Sequence, residues 1–216
     1  FKQASPSRGP ICHSLTVEEA ARQYVAAGAG ALSILTERRF FAGELDFLGR
    51  AAVRCPGTPL LRKDFIFDPL QVRATAATPA AALLLIVALT PDAALLRRLR
   101  EQAESLGMQA VVEVCGSKDL ALARESGARN IQVNARDLDT LRVDRQACLE
   151  LARRYPPEQG EIWIAASGMD RREHLEDAAR AGFSAALVGT ALMQDGQPGA
   201  ALHRLLHGRE EGHHAA

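Results

Sequence analysis

Apolar residues cluster in short, nearly continuous runs at residues 31–35, 59–61, 82–89, 110–114, 131–133, 162–165 and 185–188. Continuous runs, unlike alternating ones, suit strands buried on both faces, which is how strands of a parallel sheet sit. The intervening stretches carry helical periodicity. Thr16 and Glu19 form a capping box ahead of a helix whose Val17, Ala20, Ala21, Tyr24 and Val25 share one face. Asp68-Pro69 and Thr90-Pro91 each place a capping residue before a proline, the arrangement of a helix start. Leu95, Leu99, Ala103 and Leu106 would line the face of the helix after Thr90, with Gly107 as its stop. Asp170 to Glu173 repeats the capping-box spacing, Gly182 ends that helix, and a last helix is predicted over 199–207.

With a stub at residues 1–4, the runs make eight strands alternating with helices. That pattern predicts the α/β class and a (β/α)8 TIM barrel, one domain over 1–208, with 209–216 as a disordered tail. Such barrels usually need about 250 residues. A chain of 216 residues that begins with Phe1 rather than Met reads as a barrel truncated inside its first strand. A doubly wound open sheet is the rival, but no GxGxxG fingerprint accompanies the strands.

Composition narrows the function. The chain is 47% hydrophobic and 24% charged, with 26 basic and 26 acidic residues. A net charge of zero offers no footprint for nucleic acid or an anionic membrane surface, so any anion site needs a few placed groups. The longest apolar run, 80–89, is too short to span a membrane. Cys12, Cys55, Cys115 and Cys148 have the spacing of neither a zinc site nor a redox pair. They read as thiols of a reducing, cytoplasmic compartment. His203 and His207, on the last helix, read as a solvated face, and Trp163 as core.

In a barrel of this kind the chemistry gathers at the C-terminal ends of the strands. Those ends are unexpectedly polar: Lys2 and Ser5-Pro6-Ser7, Thr36-Glu37, Arg62-Lys63-Asp64-Phe65, Glu113, Asn134 to Asp137, Ser167-Gly168 and Gly189-Thr190. Taken singly, Glu113 fits a structural carboxylate, Lys63 a solvated lysine, Asn134 a turn former and Gly189 a tight turn. Taken together around one mouth they predict a site, because charge inside a buried strand is costly unless paired. Lys63 and Glu113 suit an acid/base pair. Ser167-Gly168 and Gly189-Thr190 suit a phosphate pocket completed by a short helix over 190–193, with Arg136 as its guanidinium.

Lys2 with Ser5-Pro6-Ser7, Leu32 to Glu37 with Phe41 and Gly43, Leu61 to Phe65, Val112-Glu113-Val114, Val133 to Leu138 and Leu187 to Met193 follow one another in an order that resembles the indole-3-glycerol-phosphate synthase family. The resemblance implies ring closure, decarboxylation and dehydration of 1-(2-carboxyphenylamino)-1-deoxyribulose 5-phosphate in tryptophan biosynthesis, with no cofactor and no metal. It implies a phosphorylated small-molecule substrate, and association with or fusion to other tryptophan-pathway enzymes. Carried over by position, Lys63 is the general acid at the ketone. Lys2 holds the substrate carboxylate and acts in the dehydration, Glu113 takes part in proton transfer, and Asn134 orients hydroxyls. Ser5, Arg136, Ser167, Gly168, Gly189 and Thr190 hold the phosphate side, and Phe41, Phe65 and Leu138 line the aromatic end.

The family carries a glutamate just before the Ser-Gly, where this chain has Ala166. It also has a strand-one glutamate two residues before the lysine matching Lys2, a position ahead of Phe1, and a helical extension over the mouth. Ala166 predicts a weakened contact to substrate. It keeps two alternatives open: a paralogue of specialised metabolism acting on a modified anthranilate ribulotide, and a non-catalytic barrel that binds a phosphorylated ligand.

Overall fold

The computed structural model describes residues 1–6, 8–12, 14–137 and 140–208. The expected tail at 209–216, Ser7 and the site candidate Leu138 lie outside the described residues.

A small antiparallel hairpin, β1 (Ala4–Ser5) and β2 (Gly9–Pro10), precedes α1 (Val17–Ala26). Then come β3 (Leu32–Leu35), α2 (Arg38–Phe41), α3 (Phe47–Arg54), β4 (Leu60–Ile66), α4 (Pro69–Ala76) and β5 (Ala82–Ile86). A 3-10 turn at Val87–Leu89 leads to α5 (Ala93–Ser105), β6 (Gln109–Val114), α6 (Ser117–Glu125), β7 (Asn130–Asn134) and α7 (Arg145–Arg154). The chain finishes with β8 (Ile162–Ala166), α8 (Arg172–Arg180), β9 (Ala185–Leu187), α9 (Thr190–Met193) and α10 (Pro198–His207).

Strands β3 to β9 pair in sequence order, all parallel, and curl into a nearly closed barrel with the helices outside. Beside β3, Phe1 pairs as a strand residue would. Its nitrogen donates to the Ser33 carbonyl and its carbonyl accepts from Leu35 N–H (3.2 Å). The strand expected over 1–4 is therefore shorter than predicted. Ala4–Ser5 turns away into the hairpin, whose return at Gly9 has φ +63.

Three apolar layers hold the barrel. Leu83, Leu85, Val112, Val114, Ile131, Val133 and Trp163 face outward onto Leu96 and Leu99 of α5 and Leu149 of α7. Ile34 and Leu60 pack with Tyr24, Leu48, Leu202 and Leu205 on the other flank. Inside the barrel, Leu84, Ile86 and Val111 meet Leu61, Phe65, Ala82 and Ile164. Apolar contact on both faces is what makes these strands read as continuous runs.

Other expectations shift by a few residues. The run at 82–89 ends as a strand at Ile86, because buried Thr90 turns its hydroxyl onto the Ile86 carbonyl (3.0 Å) and closes the 3-10 turn. Asp92, not Thr90, then caps α5, accepting from Ala94 N–H (2.9 Å). The buried face is correspondingly Ala93, Leu96, Leu99 and Ala103, leaving Leu106 46% exposed. The capping box expected at Asp170–Glu173 does not form: the Asp170 carboxylate lies 2.9 Å from His174 Nδ1, and Arg171 is the uncapped N-terminal residue. Asp68 and Gln71 do form a complete box on α4, whereas only the Thr16 half forms on α1.

Candidate active site

The polar end of β4 shows how one strand serves two faces. Arg62 points outward, where it donates to Thr36 Oγ1 (3.1 Å), the Gln71 carbonyl (3.1 Å), Thr75 Oγ1 (2.8 Å) and Asp64 Oδ2 (2.8 Å). Four hydrogen bonds hold this buried guanidinium, which braces the strand against α4. Lys63, one residue on, points into the barrel. Between Arg62 and Ile66 the pairing with β5 shifts register, a bulge that widens the strand where Lys63 and Phe65 face the interior.

Across the barrel floor, Lys63 Nζ lies 3.2 Å from Glu113 Oε2 on β6. Glu113 also accepts from Gln132 Nε2 on the same oxygen and from Asn134 Nδ2 on Oε1 (3.0 Å). Its side chain is 2% exposed. Register explains the cluster: Glu113 stands directly opposite Gln132, and Asn134 lies two residues further along the same face of β7. Asn134 Oδ1 accepts from Arg136 N–H (3.0 Å), which fixes the amide with its nitrogen toward the carboxylate.

This floor opens into a cavity of about 910 Å³ at the C-terminal ends of the strands. Lys2, Ser5, Phe41, Lys63, Phe65, Glu113, Asn134, Arg136, Ser167, Gly168, Gly189 and Thr190 all line it. Despite the neutral chain, its wall is cationic. Lys2, Arg8, Lys63, Arg136, Arg145 and Arg171 face it. Of the carboxylates there, Glu37 caps α2, Asp64 is held by Arg62, Asp170 lies beside His174, and Glu113 is held by Lys63. Burial, followed by repulsion from Arg136, Lys63 and Arg8, lowers the Lys2 ammonium from 10.5 to about 8. A buried cation among cations calls for an anion.

The rim divides in two. On one side Phe40 and Phe41 meet Phe65 edge-on or tilted, with centroids 6.5 and 6.2 Å apart, giving a wall suited to an aromatic ring. On the other, Ser167 and Gly168 both hold positive φ (67° and 72°) in the turn after β8. A Cβ on Gly168 would sit 2.7 Å from Val143 Cγ1, so this close approach requires glycine. Gly189 precedes the short α9, and Ser5 is 5% exposed with an unpartnered Oγ. Arg136 donates one N–H to the Leu141 carbonyl (2.6 Å), and a guanidinium has five to offer. Ala166 presents a methyl to the cavity beside Asn134, its register partner.

Sequence reasoning passed over Arg8, Ser33, Phe40 and Gln132, all of which line the cavity. Gln132 carried a signal: it is polar within the apolar 131–133 run and two residues from Asn134, hence on the same face.

The chain matches the sequence model of the indole-3-glycerol phosphate synthase family over residues 1–205. It is 44% identical over 194 residues to the indole-3-glycerol phosphate synthase of Chloroherpeton thalassium, covering 89% of this chain and 73% of that protein. To the synthase of Koribacter versatilis it is 40% identical over 206 residues, 95% of this chain and 78% of the other. Among solved structures it is similar to a 3-hexulose-6-phosphate synthase, with TM-score 0.71 and 14% identity over 90% of this chain and 95% of that one. It is also similar to KGPDC from Streptococcus mutans, with TM-score 0.67 and 14% identity over 90% and 92% of the two chains. At such identities the structural likeness speaks for the fold alone.

Proposed function

The chain belongs to the indole-3-glycerol phosphate synthase family, and on that premise we propose how its cavity performs the family's decarboxylating ring closure. The activity is that of a carboxy-lyase of tryptophan biosynthesis. The substrate, 1-(2-carboxyphenylamino)-1-deoxyribulose 5-phosphate, carries an aromatic ring at one end and a phosphate at the other. The Phe40, Phe41 and Phe65 wall and the Ser5, Arg136, Ser167-Gly168 and Gly189-Thr190 rim suit those two ends in turn.

Between them stands the observation that carries the reading: Lys63 Nζ, 3.2 Å from Glu113, at the floor of a cationic cavity. The Lys63 ammonium protonates the ketone oxygen as the ring carbon bearing the carboxylate attacks the ketone carbon. Loss of carbon dioxide leaves its electron pair in the ring and restores aromaticity. Lys2, which holds the carboxylate beforehand, then protonates the departing hydroxyl. Glu113 accepts the proton lost from the carbon next to nitrogen, and the double bond of the indole forms. Asn134 orients the ribulose hydroxyls. Binding at the phosphate rim, remote from the reacting carbons, supplies the energy that holds the chain bent for closure.

The same reading puts the protein in the cytoplasm, in association with or fused to other enzymes of tryptophan synthesis. Its four free cysteines suit a reducing compartment. No helix among the described residues is long and apolar enough to cross a membrane.

Incubating the protein with the carboxyphenylamino ribulotide should yield the fluorescent indole product, and Lys63→Ala should abolish most of that signal. An absence of product, or a Lys63→Ala enzyme as fast as wild type, sinks the assignment.

A further inference from the structure

Gln132 stands on the cavity floor, and the reaction above leaves it unused. Its side chain is wholly buried, yet its Oε1 has no partner among the described residues. Buried polar atoms are almost always paired, so each orphan asks for a reason. Of the five such atoms among the described residues, those of Ser5, Ser33 and Gln132 belong to residues that line this cavity.

The orientation of the amide follows from its neighbour. Glu113 presents carboxylate oxygens, which accept, so Gln132 must turn its nitrogen toward Oε2. That oxygen also faces Lys63 Nζ, and Asn134 holds the other. With the nitrogen committed, Oε1 is left buried and without a partner behind the wall of the cavity that Gln132 lines. The amide is therefore retained for what its nitrogen does at Glu113.

We propose that Gln132 is a positioning residue: its amide nitrogen fixes the Glu113 carboxylate opposite Lys63. The inference rests on the proposed ring-closure reaction and adds a residue to it.

The test compares Gln132→Met with wild type, using the carboxyphenylamino ribulotide and fluorescence of the product. Methionine keeps the volume and removes both polar ends. The expected result is a kcat about tenfold lower with KM near wild type. The melting temperature should stay within a few degrees of wild type, because the lost hydrogen bond to Glu113 is offset by removal of a buried orphan acceptor. In a Glu113→Ala background the same substitution should change kcat less than twofold, since its target is already gone. Gln132→Leu serves as a second apolar variant and should behave alike. A kcat within twofold of wild type overturns the proposal. So does an equal cost in both backgrounds, or a lost activity that merely follows a lowered melting temperature. Wild-type turnover is the control: its absence counts against the ring-closure reading, whereas wild-type turnover with silent Gln132 variants counts against Gln132 alone.

Discussion

The two sides of the cavity are built on different principles. The floor is built from strands. Lys63, Glu113, Gln132 and Asn134 project from β4, β6 and β7, and cross-strand register sets their distances. The rim proposed for the phosphate is built from turns: Ser5 in a hairpin, Ser167-Gly168 at two positive φ values, and Gly189 ahead of a four-residue helix. A strand delivers a side chain to a fixed point, which suits proton transfer. A turn delivers small residues and backbone N–H groups, which suits an anion that must be held but not changed. The contrast implies a division of labour in which damage to the floor lowers kcat and damage to the rim raises KM.

Lys63→Ala tests this most severely. Removing a general acid should lower kcat by about 10³, with KM within a few-fold of wild type. Steady-state kinetics that showed the loss mainly in KM would erase the distinction between floor and rim.

The next largest effect is a gain. Ala166 brings only a methyl to a wall of cations, next to Asn134. Ala166→Glu would add a carboxylate within this field, able to bond the substrate amine or hydroxyls. Such a contact is worth on the order of 1–3 kcal/mol. An increase in kcat/KM of about tenfold is expected, and a decrease would show that the cavity at this point is already complementary to its substrate.

Gly168→Ala probes the rim. The new methyl meets Val143 Cγ1 at 2.7 Å on a backbone with φ +72. Left-handed backbone strain costs about 1–2 kcal/mol, or roughly 3–6 °C in melting temperature for a chain of this size. KM should rise about fivefold while kcat stays near wild type, which steady-state kinetics and a thermal melt together can check. A kcat loss as deep as that of Lys63→Ala would place the rim in the chemistry itself.

The same contrast governs what could be read from residues alone. Strands buried on both faces announce themselves as apolar runs, so all seven, and several of the helices between, were legible. The full length of the polar strand was not: β4 continues through Arg62-Lys63-Asp64-Phe65 to Ile66, although the apolar run stops at Leu61. Charges hid the strand because Arg62 and Asp64 pair in the outer layer while Lys63 turns to the cavity, and only the fold separates them. The rim residues were legible as small residues at strand ends. Gln132 was not, since its meaning lies in standing opposite Glu113, a register between strands separated by α6. Arg8 and Phe40 likewise gain a role only when loops distant in sequence converge on the cavity. The Asp170 box does not form, and the Asp170 carboxylate lies beside His174 instead, a proximity visible only once α8 is in place.

The smallest expected effect joins floor and rim through charge. Lys2 sits between them, its side chain about 4 Å from where a Cβ on Gly189 would lie, and its ammonium is lowered to about 8, first by burial and then by repulsion from Arg136, Lys63 and Arg8. Because the role proposed for Lys2, holding the substrate carboxylate, needs its protonated form, kcat/KM should fall as pH rises through about 8. Arg8→Gln removes one repelling charge at the outer edge, so the basic limb should move up by a few tenths of a pH unit, most clearly at low ionic strength. Stability responds with a definite sign. Between about 8 and 10.5 the unfolded chain keeps a proton that folded Lys2 has released, so this residue makes stability rise with pH across that window, and Arg8→Gln should flatten the rise. A basic limb that ignores Arg8 would mean that Lys2 answers to the floor alone, and the field joining the two sides would have to be carried by Arg136 and Lys63.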